Sequence, residues 1–380
     1  MPLKRLSLLL ILVLIILLPP ARLVAAGQPL QPSRPEAQNW PSVDQIEGRQ
    51  WVVLEGASGE MILDHRGDEQ AWPASVTKIM TALLVIEAGD LERMVTVSAA
   101  AVNLPAGSSK VGLLAGEEVR VYDLLCALMV ASGNDAANAL AEHLGGDLPG
   151  FAQMMNDRAL QLGLTGTHFT NPSGLHEQQH YSTARDMAVL TAYAMENELF
   201  REIFGLARYS MPITNLHPYT GWAMLNSTNR FMSFGETTLR SKWIANYLGG
   251  KTGTTAQAGN NLVLAAETQS GHELIAVLFG VPPRSVGNTS IFIRTLLETA
   301  AARLPEPTAA ATAQPTDVPE KPPTETTFLR PTESESNSPG PVESPGGTGY
   351  FRPTVFFILA GVGLAIFVLA VLYIRKLRRS

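Results

Sequence analysis

Ser75 and Lys78 stand three residues apart in Ser75-Val76-Thr77-Lys78, and the pair could do nucleophilic chemistry. At the start of a helix, positions i and i+3 share a face, so the hydroxyl and the amine can meet. A serine is a weak nucleophile until a neighbouring base takes its proton. Lysine is such a base only when neutral, which needs desolvation or a nearby cation. A helix N-terminus helps twice, disfavouring the ammonium and favouring an anion on the serine. Alone, the tetrapeptide would also fit an N-capping serine beside a surface lysine.

Two further clusters follow. Ser132-Gly133-Asn134 comes 57 residues later, at a break between two helical stretches, where side chains can leave the ladder and face a cleft. It would also fit a capped helix start, since Ser and Asn are common N-caps. Lys251-Thr252-Gly253-Thr254 comes 119 residues after Ser132, behind Gly249-Gly250 and ahead of a β-rich stretch. At a strand edge it offers a cation, a hydroxyl and bare backbone, which suits an extended peptide ending in a carboxylate. The plain alternative is a glycine-rich turn.

The elements that must position these residues can be read from periodicity. Trp51–Glu55 and Glu60–Asp64 flank Gly56-Ala57-Ser58-Gly59 as strand, turn and strand. Ser75–Ala88 has apolar residues at helical spacing and stops at Gly89-Asp90. Tyr122–Val130, Asp135–Leu144, Phe151–Leu162, Ala184–Glu196 and Ser290–Ala302 read as further helices. Asn261–Glu267 and Glu273–Val281 read as a hairpin across Gly271. Strands at both ends with helices between them predict an α+β domain. Its antiparallel sheet joins the two ends, and the helical subdomain is an insertion.

The 380 residues carry 28 Lys+Arg against 34 Asp+Glu, a net charge of −6, which argues against a nucleic-acid binder. One cysteine excludes an intramolecular disulfide, and Cys126 on an apolar helix face reads as a core residue. The seven histidines show no metal-binding spacing, so no metal or other cofactor is implied. A basic start, an apolar run Leu6–Leu18 and small residues at 24–26 read as a secretory signal, with an uncleaved anchor as the alternative. Val355–Ile374 is uncharged over 20 residues, about 30 Å of helix, and Arg375, Lys376, Arg378 and Arg379 follow it. That reads as a membrane span with a cytoplasmic tail. Pro305–Pro353 is rich in Pro, Thr, Ser and Glu, cannot bury enough surface to order itself, and reads as a disordered stalk. The expected organisation is a signal over 1–26, a linker over 27–45, a folded domain over 46–303, a stalk over 304–353, a transmembrane helix over 354–374 and a basic tail over 375–380.

S-x-x-K, S-x-N and K-T-G in this order resemble the signature of penicillin-binding proteins and class A β-lactamases. The wider stretches Pro73–Thr81, Ser132–Ala137, Phe169–Leu175, Tyr181–Asp186 and Gly250–Thr254 resemble the serine D-alanyl-D-alanine carboxypeptidases, the low-molecular-mass penicillin-binding proteins. Gly133, where the β-lactamases have Asp, points the same way. The resemblance runs over about residues 50–300 and implies a β-lactamase/DD-peptidase-like fold. It implies that Ser75 attacks the carbonyl between two D-alanines at the end of a peptidoglycan stem peptide, with Lys78 as its base. Ser132 then relays a proton to the leaving amine, and Asn134 holds Lys78 and the substrate amide. Lys251 keeps Lys78 neutral and attracts the carboxylate, which Thr252 binds. The N–H groups of Ser75 and Thr254 would form an oxyanion hole, and Gly253 would bind substrate with Thr252 and Thr254. Arg230 and Arg284 are further carboxylate candidates that read equally as surface arginines. β-Lactam antibiotics, which imitate the D-alanyl-D-alanine end, should acylate Ser75 too.

Against the family pattern, Met211–Leu248 is a longer approach to Lys-Thr-Gly. A β-lactamase, an endopeptidase cutting cross-links and a non-catalytic wall binder are the competing readings. No Glu-x-x-Leu-Asn lies between the second and third motifs to activate a deacylating water, which disfavours the β-lactamase. Four intact polar side chains at 75, 78, 132 and 251 disfavour the binder.

Overall fold

Strand β1 (Gln50–Glu55) is buried at every residue, so both of its faces must be covered. The chain is seen here in a computed structural model that describes residues 41–219, 223–233, 241–285 and 288–305. In chain order the strands are β1, β2 (Met61–His65), β3 (Met94–Thr96), β4 (Glu118–Arg120), β5 (Arg208–Ser210), β6 (Met224–Asn226), β7 (Ile244–Thr255), β8 (Gly259–Thr268) and β9 (Glu273–Val281). Five of them form one antiparallel sheet in the order β2-β1-β9-β8-β7, while β3/β4 and β5/β6 are separate short pairs. The N-terminal hairpin therefore pairs with the C-terminal strands, with Trp51 opposite Leu278 and Val53 opposite Ala276. This is the joined sheet expected from the order of the elements.

The helices are α1 (Lys78–Ala88), α2 (Ala99–Val102), α3 (Val121–Val130), α4 (Asn134–Gly145), α5 (Leu148–Gln161), α6 (Ala184–Met195), α7 (Glu198–Phe204), α8 (Arg230–Ser233) and α9 (Asn288–Ala301). Alternate strand residues enter different cores, as the pleat requires. Val52, Leu54, Val263, Ile275, Val277 and Phe279 join the core formed by α1 and α3–α7. Trp51, Val53, Leu264, Leu274, Ala276 and Leu278 meet Phe292, Ile293, Leu296 and Leu297 of α9. Two covered faces explain why β8 and β9 read as continuous apolar runs rather than alternating ones. Helix α1 is buried from Lys78 through Ile86, so it is apolar all round and sits inside the helical layer.

One expectation is corrected. Ser75 does not lie on an α-helix: Ala74–Thr77 is a 3-10 turn, and α1 begins at Lys78. Lys251-Thr252-Gly253 lies inside the 12-residue edge strand β7, which agrees with the strand-edge reading and not with the glycine-rich turn. The glycines of this strand are there for close approach. A Cβ on Gly249 would lie 2.5 Å from Phe204, and one on Gly250 would lie 2.3 Å from Asn229. Helix α7 and the short strand pairs had no clear periodic signal.

The signal at 1–26, most of the linker, nearly all of the stalk, the transmembrane helix and the tail lie outside the described residues. Among the described residues, no helix is long and apolar enough to cross a membrane.

Gly174 has a φ of +81°, and a Cβ there would lie 1.8 Å from the carbonyl oxygen of Ala74, beside the turn that carries Ser75. Gly174→Ala is expected to destabilise the domain by about 2 kcal/mol or more. Thermal unfolding would register this as a drop in Tm of about 4 °C or more.

Candidate active site

The 3-10 turn is what brings Ser75 to Lys78. With three residues per turn, side chains at i and i+3 eclipse, a closer register than an α-helix gives. Lys78 Nζ lies 3.1 Å from Ser75 Oγ. The turn is held under strain, with Ala74 at φ +50°. Asn261 Nδ2 fastens the segment before it by donating to the carbonyls of Trp72 (2.9 Å) and Pro73 (3.0 Å).

Lys78 is wholly buried. Its amine also meets Asn134 Oδ1 and the Ser173 carbonyl, each at 2.7 Å. Both are pure acceptors, so each takes an N–H. Neutral lysine has two N–H groups and one lone pair. As an ammonium, Lys78 donates its third N–H to Ser75 Oγ; as a neutral amine, with both N–H groups committed, it has its lone pair left to accept from the Ser75 hydroxyl. Burial drives the Lys78 pKa well below its ordinary value, the Lys251 cation lowers it further, and Asp135 opposes both.

Lys251 is buried as completely. Its Nζ donates to Ser132 Oγ at 2.9 Å and to the Thr252 carbonyl at 3.0 Å. Burial pushes its pKa down to about 7, so near neutrality it gains and loses its proton readily. Ser132 sits at the break between α3 and α4 with φ +59°, a left-handed conformation rare for serine, and this turns it toward β7. Asn134 opens α4, and its N–H donates to the Ser109 carbonyl at 2.9 Å. All three motifs expected from the sequence therefore meet in one place.

Thr252 Oγ1 lies 2.5 Å from Thr228 Oγ1, and Thr254 Oγ1 donates to Asn260 Oδ1 at 3.1 Å. Gly253 is where β7 passes closest to the nucleophile turn: a Cβ would lie 2.8 Å from the Pro73 carbonyl oxygen and 2.9 Å from the Ser75 nitrogen. A cleft of about 360 Å³ opens here, lined by Ser75, Ser132, Thr228, Arg230, Thr252, Gly253 and Thr254 among others. Arg230, on α8, is thus part of the cleft wall. Arg284 is exposed on the turn Pro283–Ser285 and is not among the residues lining that cleft.

Several positioning groups carried no sequence signal of their own. The buried Asp135 carboxylate accepts from the N–H groups of Val111 (3.0 Å), Gly112 (2.9 Å) and Leu113 (3.2 Å), which ties the Ser109 loop to α4. Asn171 Oδ1 accepts from the N–H groups of Ser173 and Gly174 and so shapes the loop whose carbonyl holds Lys78. His180 is buried and receives the Thr170 N–H on Nδ1 at 3.1 Å. Its Nε2 therefore carries the hydrogen and donates to Thr77 Oγ1 at 2.8 Å. Burial, with smaller contributions from His168, Lys78 and His176, pushes the His180 pKa down to about 3 and keeps the ring neutral. The Phe169–Leu175 stretch belonged to the resemblance, but nothing in it signalled that a backbone oxygen was the contact. Burial raises the Cys126 thiol pKa to about 12, in keeping with a core residue. Among the described residues, no group of His, Cys, Asp and Glu could hold a metal ion.

The profile of the D-alanyl-D-alanine carboxypeptidase family matches residues 37–282. The D-alanyl-D-alanine carboxypeptidase DacA of Haemophilus influenzae is 36% identical over 246 residues, covering 63% of this chain and 58% of that protein. This chain spans less than two thirds of the length of the first curated relatives it matches. The crystal structure of a D-alanyl-D-alanine carboxypeptidase from Mycobacterium tuberculosis superposes with a TM-score of 0.59 at 28% identity, covering 68% of this chain and 92% of that one. Penicillin binding protein 5 from Haemophilus influenzae gives a TM-score of 0.57 at 33% identity, covering 67% of this chain and 71% of that one.

The buried lysines and histidine set the pH dependence of stability. Between pH 7 and 10.5 the unfolded chain holds a proton at Lys251 that the folded chain has released, so stability rises with pH there. Below 6.5 the unfolded chain binds a proton at His180 that the folded chain refuses down to about 3, so stability falls on acidification. Denaturant titrations at a series of pH values should rise from pH 7 to 9, and Lys251→Met should flatten that rise.

Proposed function

The chain belongs to the D-alanyl-D-alanine carboxypeptidase family, and on that footing we propose that it removes the terminal D-alanine from peptidoglycan stem peptides through an acyl-enzyme on Ser75. The observation that carries this reading is the contact between Ser75 Oγ and a fully buried amine whose two N–H groups are already spent on pure acceptors. Once burial has driven off its proton, such an amine has only its lone pair left, and that points at the Ser75 hydroxyl.

Lys78 takes that proton as Ser75 Oγ attacks the carbonyl of the penultimate D-alanine. The N–H groups of Ser75 and Thr254 receive the oxyanion, each such donor being worth about 3 kcal/mol at the transition state. The bond to the last D-alanine breaks, and Ser132 relays a proton to the departing amine. Water then hydrolyses the ester and frees Ser75. Asn134 fixes the base and the substrate amide. Lys251, in its charged form, draws in the terminal carboxylate, and Thr252 with its partner Thr228 binds it. Arg230 adds a cation to the same cleft, and Arg284 is a second candidate from its exposed turn. β-Lactams should enter by the same route and stop at the acyl-enzyme. The uncharged stretch 355–374 and the basic residues after it support tethering of the domain to a membrane, with the domain outside the cytoplasm.

Intact-protein mass spectrometry after treatment with benzylpenicillin tests the reading. A single adduct mapping to Ser75 and missing from Ser75→Ala is expected, and no adduct on folded protein would overturn it. Because Lys78 must be neutral, acylation should slow as pH falls and Lys78 takes up its proton. Lys78→Ala should lose about 10²–10⁴ in acylation rate at constant pH.

A further inference from the structure

We propose that residues 212–219, between β5 and β6, and the loop 114–117 before β4 form an apolar tip that docks into the interface of a lipid bilayer. The inference rests on the membrane tether proposed above and on no part of the Ser75 chemistry.

Among the described residues seven large apolar side chains stand in solvent. Six of them lie on β3, the loop before β4 and the β5–β6 arm: Met94, Leu114, Ile213, Leu216, Tyr219 and Met224. The seventh, Leu160, is on α5. The arm is also uncharged. From Tyr209 to Asn229 the sequence holds no Asp, Glu, Lys or Arg, although 16% of the chain is charged. Apolar surface gathered in one place on a soluble domain marks an interaction site.

The polar groups of the tip are turned inward. Glu117 is wholly buried and accepts the Thr214 hydroxyl at 2.6 Å and the Leu114 N–H at 2.9 Å. His217 Nδ1 lies 2.7 Å from the same carboxylate. Asn215 Oδ1 accepts the Glu118 N–H at 2.8 Å, and its Nδ2 donates to the Gly116 carbonyl at 3.0 Å. Thr214 and His217 close a turn on each other, through the Thr214 N–H to the His217 carbonyl (3.0 Å) and the His217 N–H to Thr214 Oγ1 (2.9 Å). These bonds sew the two loops into one piece. What they leave outside is Leu114, 44% exposed, Ile213, 56%, Leu216, 41%, and Tyr219, 81%. A loop that spends its polar side chains internally and holds its apolar ones out is built the wrong way round for water.

Two features identify the bilayer as the occupant. A protein partner is met with a polar rim around an apolar core, and the polar groups of this tip are already committed to each other. A bilayer interface asks for no such rim: aliphatic side chains enter the acyl boundary, and a tyrosine lies at headgroup level. The second feature is reach. The 49 residues from 306 to 354 separate the domain from the uncharged stretch at 355–374. A coil of that length averages about 40 Å end to end, comparable with the breadth of the domain itself. A domain so tethered always has the bilayer within reach. β6 leads directly into Thr228 and Arg230 of the cleft wall, so a docked tip would hold the Ser75 cleft near the bilayer rather than a stalk's length away.

The test uses the full chain with vesicles of phosphatidylethanolamine and phosphatidylglycerol. An environment-sensitive NBD fluorophore is placed on Ile213→Cys and, as a control, on Leu160→Cys; the native Cys126 is buried. Nitroxide-bearing lipid is expected to quench the label at 213 about two-fold or more beyond the label at 160. In the Ile213→Cys chain, Leu216→Asp and Tyr219→Ser should each remove about half or more of that excess. Both side chains are exposed, so Tm should hold. Alkaline carbonate extraction reads the tether separately. A chain that strips off ends the tether reading, and quenching by vesicles added at neutral pH still decides the docking. Equal quenching at the two labels, or quenching at 213 that survives both substitutions, would overturn the proposal. So would a blue shift at 213 that needs no lipid and grows with protein concentration, which would assign the tip to a second copy of the chain.

Discussion

Two lysine side chains lie wholly inside this domain, and among the described residues neither has a carboxylate within hydrogen-bond reach. Burying an ammonium without a counter-ion is unfavourable by several kcal/mol unless the group gives up its proton. Much of the architecture follows from tolerating that. Helix α1 is enclosed on all sides, so no water reaches Lys78 along its length. Asp135, the nearest counter-charge, spends its oxygens on backbone N–H groups of the Ser109 loop. Its field reaches Lys78 without a direct bond, and that leaves the amine poised rather than neutralised.

Holding such a centre still requires a stiff surround. Ala74 and Ser132 both occupy left-handed backbone, a conformation that persists only where neighbours over-determine it. Those neighbours are identifiable. Asn261 ties down the segment before Ser75, and Gly174 packs its bare Cα against the Ala74 carbonyl. The chain His180–Thr77 and the bond from Thr81 Oγ1 to the Pro172 carbonyl, 2.7 Å, lock the 169–175 loop onto α1 and the turn before it. Most of these contacts end on backbone atoms, so they fix geometry while leaving side-chain chemistry to a few residues.

That arrangement decides what could be read beforehand. Ser75, Lys78, Ser132, Asn134 and Lys251 were legible because their chemistry resides in side chains at recognisable spacings. β1, β8, β9 and the longer helices were legible because burial imposes a period. β7 was legible only at Lys-Thr-Gly, read at a strand edge: over the rest of its length three glycines and a lysine oppose strand formation locally, and only the packing of Phe204, Asn229 and Pro73 against it explains them. Asp135 and Asn171 act on the N–H groups of residues brought near by the fold, and the Ser173 carbonyl is part of the backbone itself. No spacing rule encodes such contacts. Arg230 and Arg284 looked alike in the sequence and differ in the fold, since one lines the cleft and the other lies on an exposed turn.

β7 is the last strand of the sheet, and among the described residues no strand pairs with its outer edge. A long open edge is normally a hazard, because it offers a ladder of unpaired backbone groups to any passing chain. Proteins usually guard it with charged side chains, proline or a bulge. Here the guards are two irregularities of register in β7, between Ile244 and Asn246 and between Tyr247 and Gly249. The nucleophile turn rests instead on a face of the sheet, where Gly253 and its cross-strand partner Asn261 both meet it. The edge beside the Ser75 hydroxyl is thus left clear for an extended peptide, while the bulged half of the strand resists pairing with a second copy.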